Sequence, residues 1–396
     1  MARRRGLNRA MKDETRLVHA RAGKAFRRTV NPAVEHASTV LLENREQLYH
    51  GDPTYARMGL EVHRELETAL GEIENAAFTR LTNNGLQACS LAIGSLVVAG
   101  DHVLVADSAY GPTPRFCSRR LTAMGVSATR FAPTIEAGIA ELIEPNTKLI
   151  VLESPGSLTF DVMDTPAIAE IAKSRGVITI MDNTWGAGVL HKPLDLGVDV
   201  SVQALTKYAV GHADALGGAV MTNRADLYDK IAKCADDWGI SLGPDDAYNA
   251  LRGLRTLPVR LRQHEANGYK LADWLAARPE VAFVLHPGRP DHPEHALWQR
   301  DFTGANGLFG FVFQEISEPQ LDAFLEALNL FAMGFSWGGF ESLLIPCCQQ
   351  LRRLPEDRIH KRPGPLMRVH AGLEHADDLI ADLDQALAVM ANAASD

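Results

Sequence analysis

At 396 residues, with 46% hydrophobic and 22% charged content, the chain can bury a large core and reads as two or three domains. A formal charge of −9 argues against nucleic acid as the main partner, because phosphate binding needs a basic surface. The cysteines Cys89, Cys117, Cys234, Cys347 and Cys348 are scattered and lack CxxC spacing, which fits a reducing cytoplasm and no metal site, and no apolar run approaches the length of a membrane span.

Arg3, Arg4 and Arg5 make the N-terminus basic, but no apolar run follows, so a solvated tail is expected rather than a secretion signal or a nucleic-acid arm. Residues 1–60, with Pro32, Gly51 and Pro53 and little apolar periodicity, read as an extended arm lying on a neighbouring subunit or domain. Val62, Leu66, Leu70 and Ile73 recur at helical spacing and predict a helix over 61–75. A short strand over 79–82 then turns through Asn83, Asn84 and Gly85 into a helix running to Ala99. Strands over 103–106, 128–131, 148–153, 177–181 and 200–204 follow, alternating with helices around 114–124, 135–143 and 167–174. Alternation of this kind specifies an α/β fold with a mostly parallel sheet covered by helices on both faces. One more strand at 218–222 leads into a helical region from 225 to about 276. Segments 281–285, 308–313, 323–328, 367–371 and 377–390 then form a smaller α+β unit. The expected division is an arm at 1–60, an α/β unit at 61–257 and a C-terminal α+β unit at 258–396, with no internal repeat.

Two strand ends carry chemistry. The strand entering Thr206 and Lys207 runs into a segment with glycines at 211, 217 and 218, and an ammonium buried there is expensive unless covalently committed as a Schiff base to a carbonyl cofactor. The plain alternative is a lysine snorkelling from a strand end. The strand over 177–181 stops abruptly at Asp182 and Asn183, as buried parallel strands do where they open onto a ligand. Pyridoxal 5′-phosphate (PLP) needs an acidic partner for its ring nitrogen, and Asp182 is placed for that. The loop from Asp291 to His295 matches no closed zinc motif and reads as solvated.

The stretch 199–218, together with Glu153–Ser157 and Ser336–Gly339, resembles the Cys/Met-metabolism PLP-dependent enzymes, the family of cystathionine γ-synthase, the cystathionine lyases and methionine γ-lyase. The likeness runs from about Thr15 to Val389 and is greatest to the β-acting lyases. The resemblance implies an aspartate-aminotransferase-like (fold type I) large domain with PLP bound to Lys207. It implies that Tyr110 stacks on the cofactor ring and takes part in proton transfer, and that Gly85, Leu86 and Thr206 hold the phosphate. Tyr55 and Arg57 would reach in from the neighbouring subunit, making the protein at least a dimer and, by family expectation, a homotetramer. Arg368 would bind the substrate α-carboxylate, with Ser336, Trp337 and Asn183, and Ser154 to Ser157, lining the pocket. The implied reaction is β-elimination of L-cystathionine to homocysteine, pyruvate and ammonia, in cytoplasmic methionine biosynthesis. Two positions depart from the family pattern: the phosphate turn is Asn84-Gly85-Leu86, and Ala204 stands where much of the family has serine. The alternatives are a γ-acting sibling, a cysteine desulfhydrase, or a PLP-binding regulatory protein with weak lyase activity. A nicotinamide enzyme is disfavoured, since no Gly-x-Gly-x-x-Gly follows the first strand.

Overall fold

The computed structural model describes residues 11–21, 29–355 and 357–393, so the basic run at Arg3 to Arg5 lies outside the described residues. Seven strands form the first sheet: β1 (Phe78–Thr82), β2 (His102–Ala106), β3 (Ser127–Phe131), β4 (Thr147–Glu153), β5 (Ile178–Asp182), β6 (Val200–Gln203) and β7 (Gly218–Thr222). Their spatial order is β1-β7-β6-β5-β4-β2-β3, with β7 antiparallel to both its neighbours and the run from β6 to β3 parallel throughout. The central strands are buried nearly end to end, because helices such as Gly85–Gly94, Thr165–Ser174 and Ala225–Asp237 cover the sheet. Strands β4, β5 and β6 end in Glu153, Asp182 and Gln203, so polar side chains gather at the carboxyl edge, where α/β sheets take ligands.

Four antiparallel strands form a second sheet in the order β10-β11-β9-β8: β8 (Val281–Leu285), β9 (Leu308–Phe313), β10 (Leu343–Pro346) and β11 (Leu366–His370). Phe309, Phe311 and Phe313 of β9 meet Phe324, Leu379, Leu383 and Leu387 from the helices Glu318–Ala327 and Ala376–Ala393 in its core. The helix Leu257–Ala276 packs on β8 and β9. A separate apolar core joins the two units, bringing Leu66 and Leu70 together with Phe160, Leu308 and Ile345.

Local detail differs from the sequence expectation where side chains or prolines intervene. The helix expected to reach Ala99 stops at Gly94, and the Asp101 carboxylate then accepts the Val98 N–H at 2.8 Å, closing a turn in place of further helix. The long helical region divides into Ala225–Asp237, Pro244–Leu254 and Leu257–Ala276. Gly239 takes positive φ (66°) after the first piece, and Pro244 opens the second. Strand β10, absent from the sequence expectation, carries Pro346. The residue is tolerated because β10 is an edge strand with only β11 beside it. Nor was the helix His295–Asp301 expected. The N-terminal segment is not extended throughout. Helix Asp13–His19 packs on helix Glu61–Glu74 of its own chain, burying Leu17 while Arg16 reaches the backbone of Glu72 and the Asn75 side chain. Beyond it Val30, Leu41 and Tyr49 are exposed. Among the described residues no helix is long and apolar enough to cross a membrane.

Candidate active site

Lys207 sits in the turn that follows β6, and its half-buried ammonium donates to Ser336 Oγ at 2.6 Å. The Trp337 ring lies 5.3 Å from Nζ. Burial, reinforced by the Arg368 charge and partly offset by Asp182, lowers the Lys207 pKa to about 8. An amine so placed is available as a base or nucleophile near neutral pH.

The loop that supplies Ser336 and Trp337 is held from beneath. Arg368, on β11, donates from Nη2 to the Ser336 carbonyl at 2.9 Å, while its Nε and Nη1 have no partner among the described residues. His370, two residues on and therefore on the same face of the strand, places Nε2 3.2 Å from the Gly338 N and 3.1 Å from the Gly339 O. Ser336 is a non-glycine residue at φ 79°, a strained conformation held by these contacts. A Cβ at Gly338 would come within 2.8 Å of the Tyr208 backbone nitrogen, so only glycine lets the loop lie this close to Lys207.

Asp182 is fixed at the end of β5. Its Oδ1 accepts the Thr184 N–H at 3.0 Å and the Thr184 hydroxyl at 2.5 Å, and Oδ2 has the Cys89 thiol at 3.5 Å. Burial raises its pKa against the pull of these donors and of Lys207. Tyr110 follows β2, in a loop whose Asp107 accepts the Leu354 N–H at 2.6 Å and pairs with Arg130. The Tyr110 backbone N–H donates to Glu153 Oε2 at 2.5 Å, and burial raises the phenol pKa.

At the far end of the site, the helix Gly85–Gly94 presents its first turn. The Asn84 side chain caps Gln87 N, and the N–H groups of Gly85 and Leu86 make no hydrogen bond among the described residues. Free N–H groups at a helix start suit an anion. Gly85 touches the end of β6 so closely that a Cβ there would meet the Ala204 Cβ at 2.3 Å, which accounts for small residues at both positions. A phosphate-bearing pyridine aldehyde fits this arrangement: donors for the phosphate at one end, a buried carboxylate for the ring nitrogen, and the Lys207 amine for the aldehyde. Gly85→Ala is expected to push the helix start off Ala204, since overpacking costs about 1–3 kcal/mol. Titration should show PLP affinity falling by about tenfold or more, with a lower Tm in the same variant.

Of the sequence-predicted residues, Thr206, Ser336 and Trp337 line a cavity of about 610 Å³, together with Phe335, Phe340 and Asp214. The Thr206 hydroxyl is engaged with the Gly217 N–H at 3.2 Å and its carbonyl at 3.3 Å, and would exchange these partners for a phosphate. Asn183 must be corrected. It is fully buried, its amide bonded to Glu74 Oε1 at 2.8 Å and to the carbonyl and ring of His191, so it does not line the pocket. Successive residues of an extended strand point to opposite faces, so Asp182 and Asn183 cannot both face the ligand. Ser154 is likewise buried and accepts the Met163 N–H at 3.0 Å. Tyr55 and Arg57 stack on each other at 5.9 Å, both exposed, and make no polar contact with the other site residues of this chain. Sequence reasoning gave no role to Glu153, Thr184 or His370. For Glu153 the signal was present, since its strand ends in a carboxylate as that of Asp182 does. His292 is buried, and among the described residues no cluster of three His, Cys, Asp or Glu side chains could hold a metal.

The family model for Cys/Met metabolism PLP-dependent enzymes matches residues 14–388. The cystathionine β-lyase MetC of Escherichia coli K12 is 42% identical over 393 residues, covering 95% of this chain and 98% of that protein. The L-alanine/L-glutamate racemase of Wolbachia pipientis wMel is 35% identical over 397 residues, 96% of this chain and 97% of that protein. Among solved structures, cystathionine γ-lyase from Lactobacillus plantarum, complexed with L-serine, superposes with a TM-score of 0.89 at 30% identity, covering 96% of this chain and all of that one.

Proposed function

The chain belongs to the Cys/Met-metabolism PLP-dependent enzymes, and on that premise we propose that it is a carbon–sulfur lyase performing β-elimination on L-cystathionine. The observation that carries the β-specific reading is the Trp337 ring 5.3 Å from Lys207 Nζ, at the position where γ-acting relatives tend to carry a smaller aliphatic residue. The 42% identity to a cystathionine β-lyase over nearly the whole chain supports it.

Bound here, PLP supplies an aldehyde that captures amines and a ring that spreads the negative charge left when an α-proton is removed. The protein supplies the rest. Arg368, whose Nε and Nη1 are unengaged among the described residues, takes the substrate α-carboxylate and orients the Cα–H bond. Lys207, with its pKa lowered to about 8, removes that proton as general base. Ser336 Oγ keeps the amine in place through its 2.6 Å hydrogen bond. Asp182 would hold a proton at the ring nitrogen, and Tyr110 would pack on the ring face. The ammonium formed on Lys207 then returns its proton to the departing thiolate. The exposed Arg57 and Tyr55, which stack on each other and make no polar contact with the other site residues among those described, support a site completed by a second subunit.

The test is product analysis with purified protein, PLP and L-cystathionine. Pyruvate and homocysteine are expected. Cysteine with 2-oxobutanoate would move the protein to the γ-lyases, and loss of optical purity in L-alanine without elimination would favour the racemase relative.

A further inference from the structure

Beneath the site, two carboxyl groups share one small enclosure. Strands β4 and β5 are parallel neighbours in which Glu153 stands directly across from Asp182. Paired residues on adjacent strands, about 4.8 Å apart, send their side chains to the same face. Both carboxyls line one cavity of about 10 Å³, together with Cys89, Thr113, Ile180 and Val202. Two carboxylates in such a place cannot both ionise at neutral pH, because each raises the cost of charging the other and burial raises it further.

The hydrogen bonds decide which one keeps the charge. Asp182 has two donors on Oδ1, the Cys89 thiol near Oδ2, and the Lys207 ammonium close enough to favour its anion. Glu153 has one donor, the Tyr110 N–H on Oε2, and no partner on Oε1 among the described residues. The groups that face Glu153 are Asp182 from β5, Tyr110 from the loop after β2, Cys89 from the helix Gly85–Gly94, and Arg353 from the segment after β10, whose charge is offset by Asp161 and by Asp357 at 3.0 Å. Burial first, and Asp182 second, push the Glu153 pKa well above the carboxylate range.

We propose that Glu153 is a positioning residue that keeps the proton of the Glu153–Asp182 pair, anchoring the Tyr110 backbone as a neutral acid while Asp182 remains the anion available to the cofactor ring nitrogen. This rests on the PLP reading above. A neutral Glu153 holds Tyr110 against the ring without adding a second negative charge that would compete with Asp182 for the ring proton.

Two variants of the full-length protein separate charge from position. Glu153→Gln keeps an acceptor for the Tyr110 N–H and is neutral, so PLP affinity measured by absorbance titration should stay within about threefold of wild type. Its affinity should also stay flat into alkaline pH, where wild type weakens as Glu153 ionises. Glu153→Ala removes the acceptor that fixes the Tyr110 backbone and should weaken PLP binding by about tenfold or more. A Gln variant that loses affinity as badly as the Ala variant would overturn the proposal, because Glu153 would then be needed as an anion. So would an Ala variant that binds PLP as wild type does. Difference infrared spectra give a second readout that needs no folded Ala variant. Wild type should show the carbonyl stretch of a protonated carboxylic acid that Glu153→Gln lacks, and its absence would overturn the proposal. Wild-type protein that takes up no PLP at all would sink the cofactor reading, and the infrared band would still report on the proton.

Discussion

Replacing Lys207 by alanine is expected to lower kcat on a thioether amino acid by at least about 10³-fold, within the range for loss of a general acid–base group, with more lost because the same amine holds the cofactor. The side chain is half-buried, bonded to Ser336 Oγ at 2.6 Å, and has no carboxylate in ion-pair contact among the described residues. Its charge is therefore a cost to the folded chain rather than a support. The pH dependence of stability reveals this. The Lys207 pKa falls from 10.5 to about 8 on folding, so between those values the unfolded chain binds the extra proton. Stability of the cofactor-free protein should rise with pH through that window, since the slope follows the excess of protons on the unfolded state. Cofactor-free Lys207→Ala should lack this contribution. Thermal unfolding of both proteins across that pH range, beside steady-state rates with saturating PLP, measures both effects. Turnover in the variant within tenfold of wild type would make Lys207 a structural residue.

Arg368→Lys is expected to raise KM for the amino-acid substrate by about 10²-fold, with a smaller fall in kcat, because one of two charge-assisted bonds worth about 1.5–3 kcal/mol each is lost and the other misplaced. Lysine keeps the positive charge but not the planar fork, and the Ser336 carbonyl now held at 2.9 Å competes for its single ammonium. Arg368→Ala removes both functions, substrate capture and support of the Ser336–Gly339 loop, and should lower kcat/KM by about 10³-fold or more. PLP affinity should change little in either variant, since the residues that fit the phosphate lie at the other end of the site, on the helix Gly85–Gly94. An unchanged KM in Arg368→Lys would move the carboxylate site elsewhere.

The sequence by itself determined the alternation of strand and helix, the abrupt end of β5 at Asp182, and the lysine beyond β6, because each is written in local pattern: apolar runs, a polar stop, a glycine-containing turn. The smallness of Gly85 was legible, but its reason was not; the Ala204 methyl that excludes a side chain there lies just beyond the end of β6, distant in sequence. Asn183 was misread because adjacency in sequence was taken for adjacency in the pocket, whereas the strand turns it into the Glu74 network. Glu153 went without a role for the opposite reason: it lies far from Asp182 in sequence and directly across from it in the sheet. His370 gained its role only when the Ser336–Gly339 loop was laid over β11. What the tertiary structure alone decided is therefore pairing between elements. Which carboxyl groups share a cavity, which loop carbonyl occupies an arginine and which amine loses its water depend on register and packing, and no local pattern encodes the partner across a sheet.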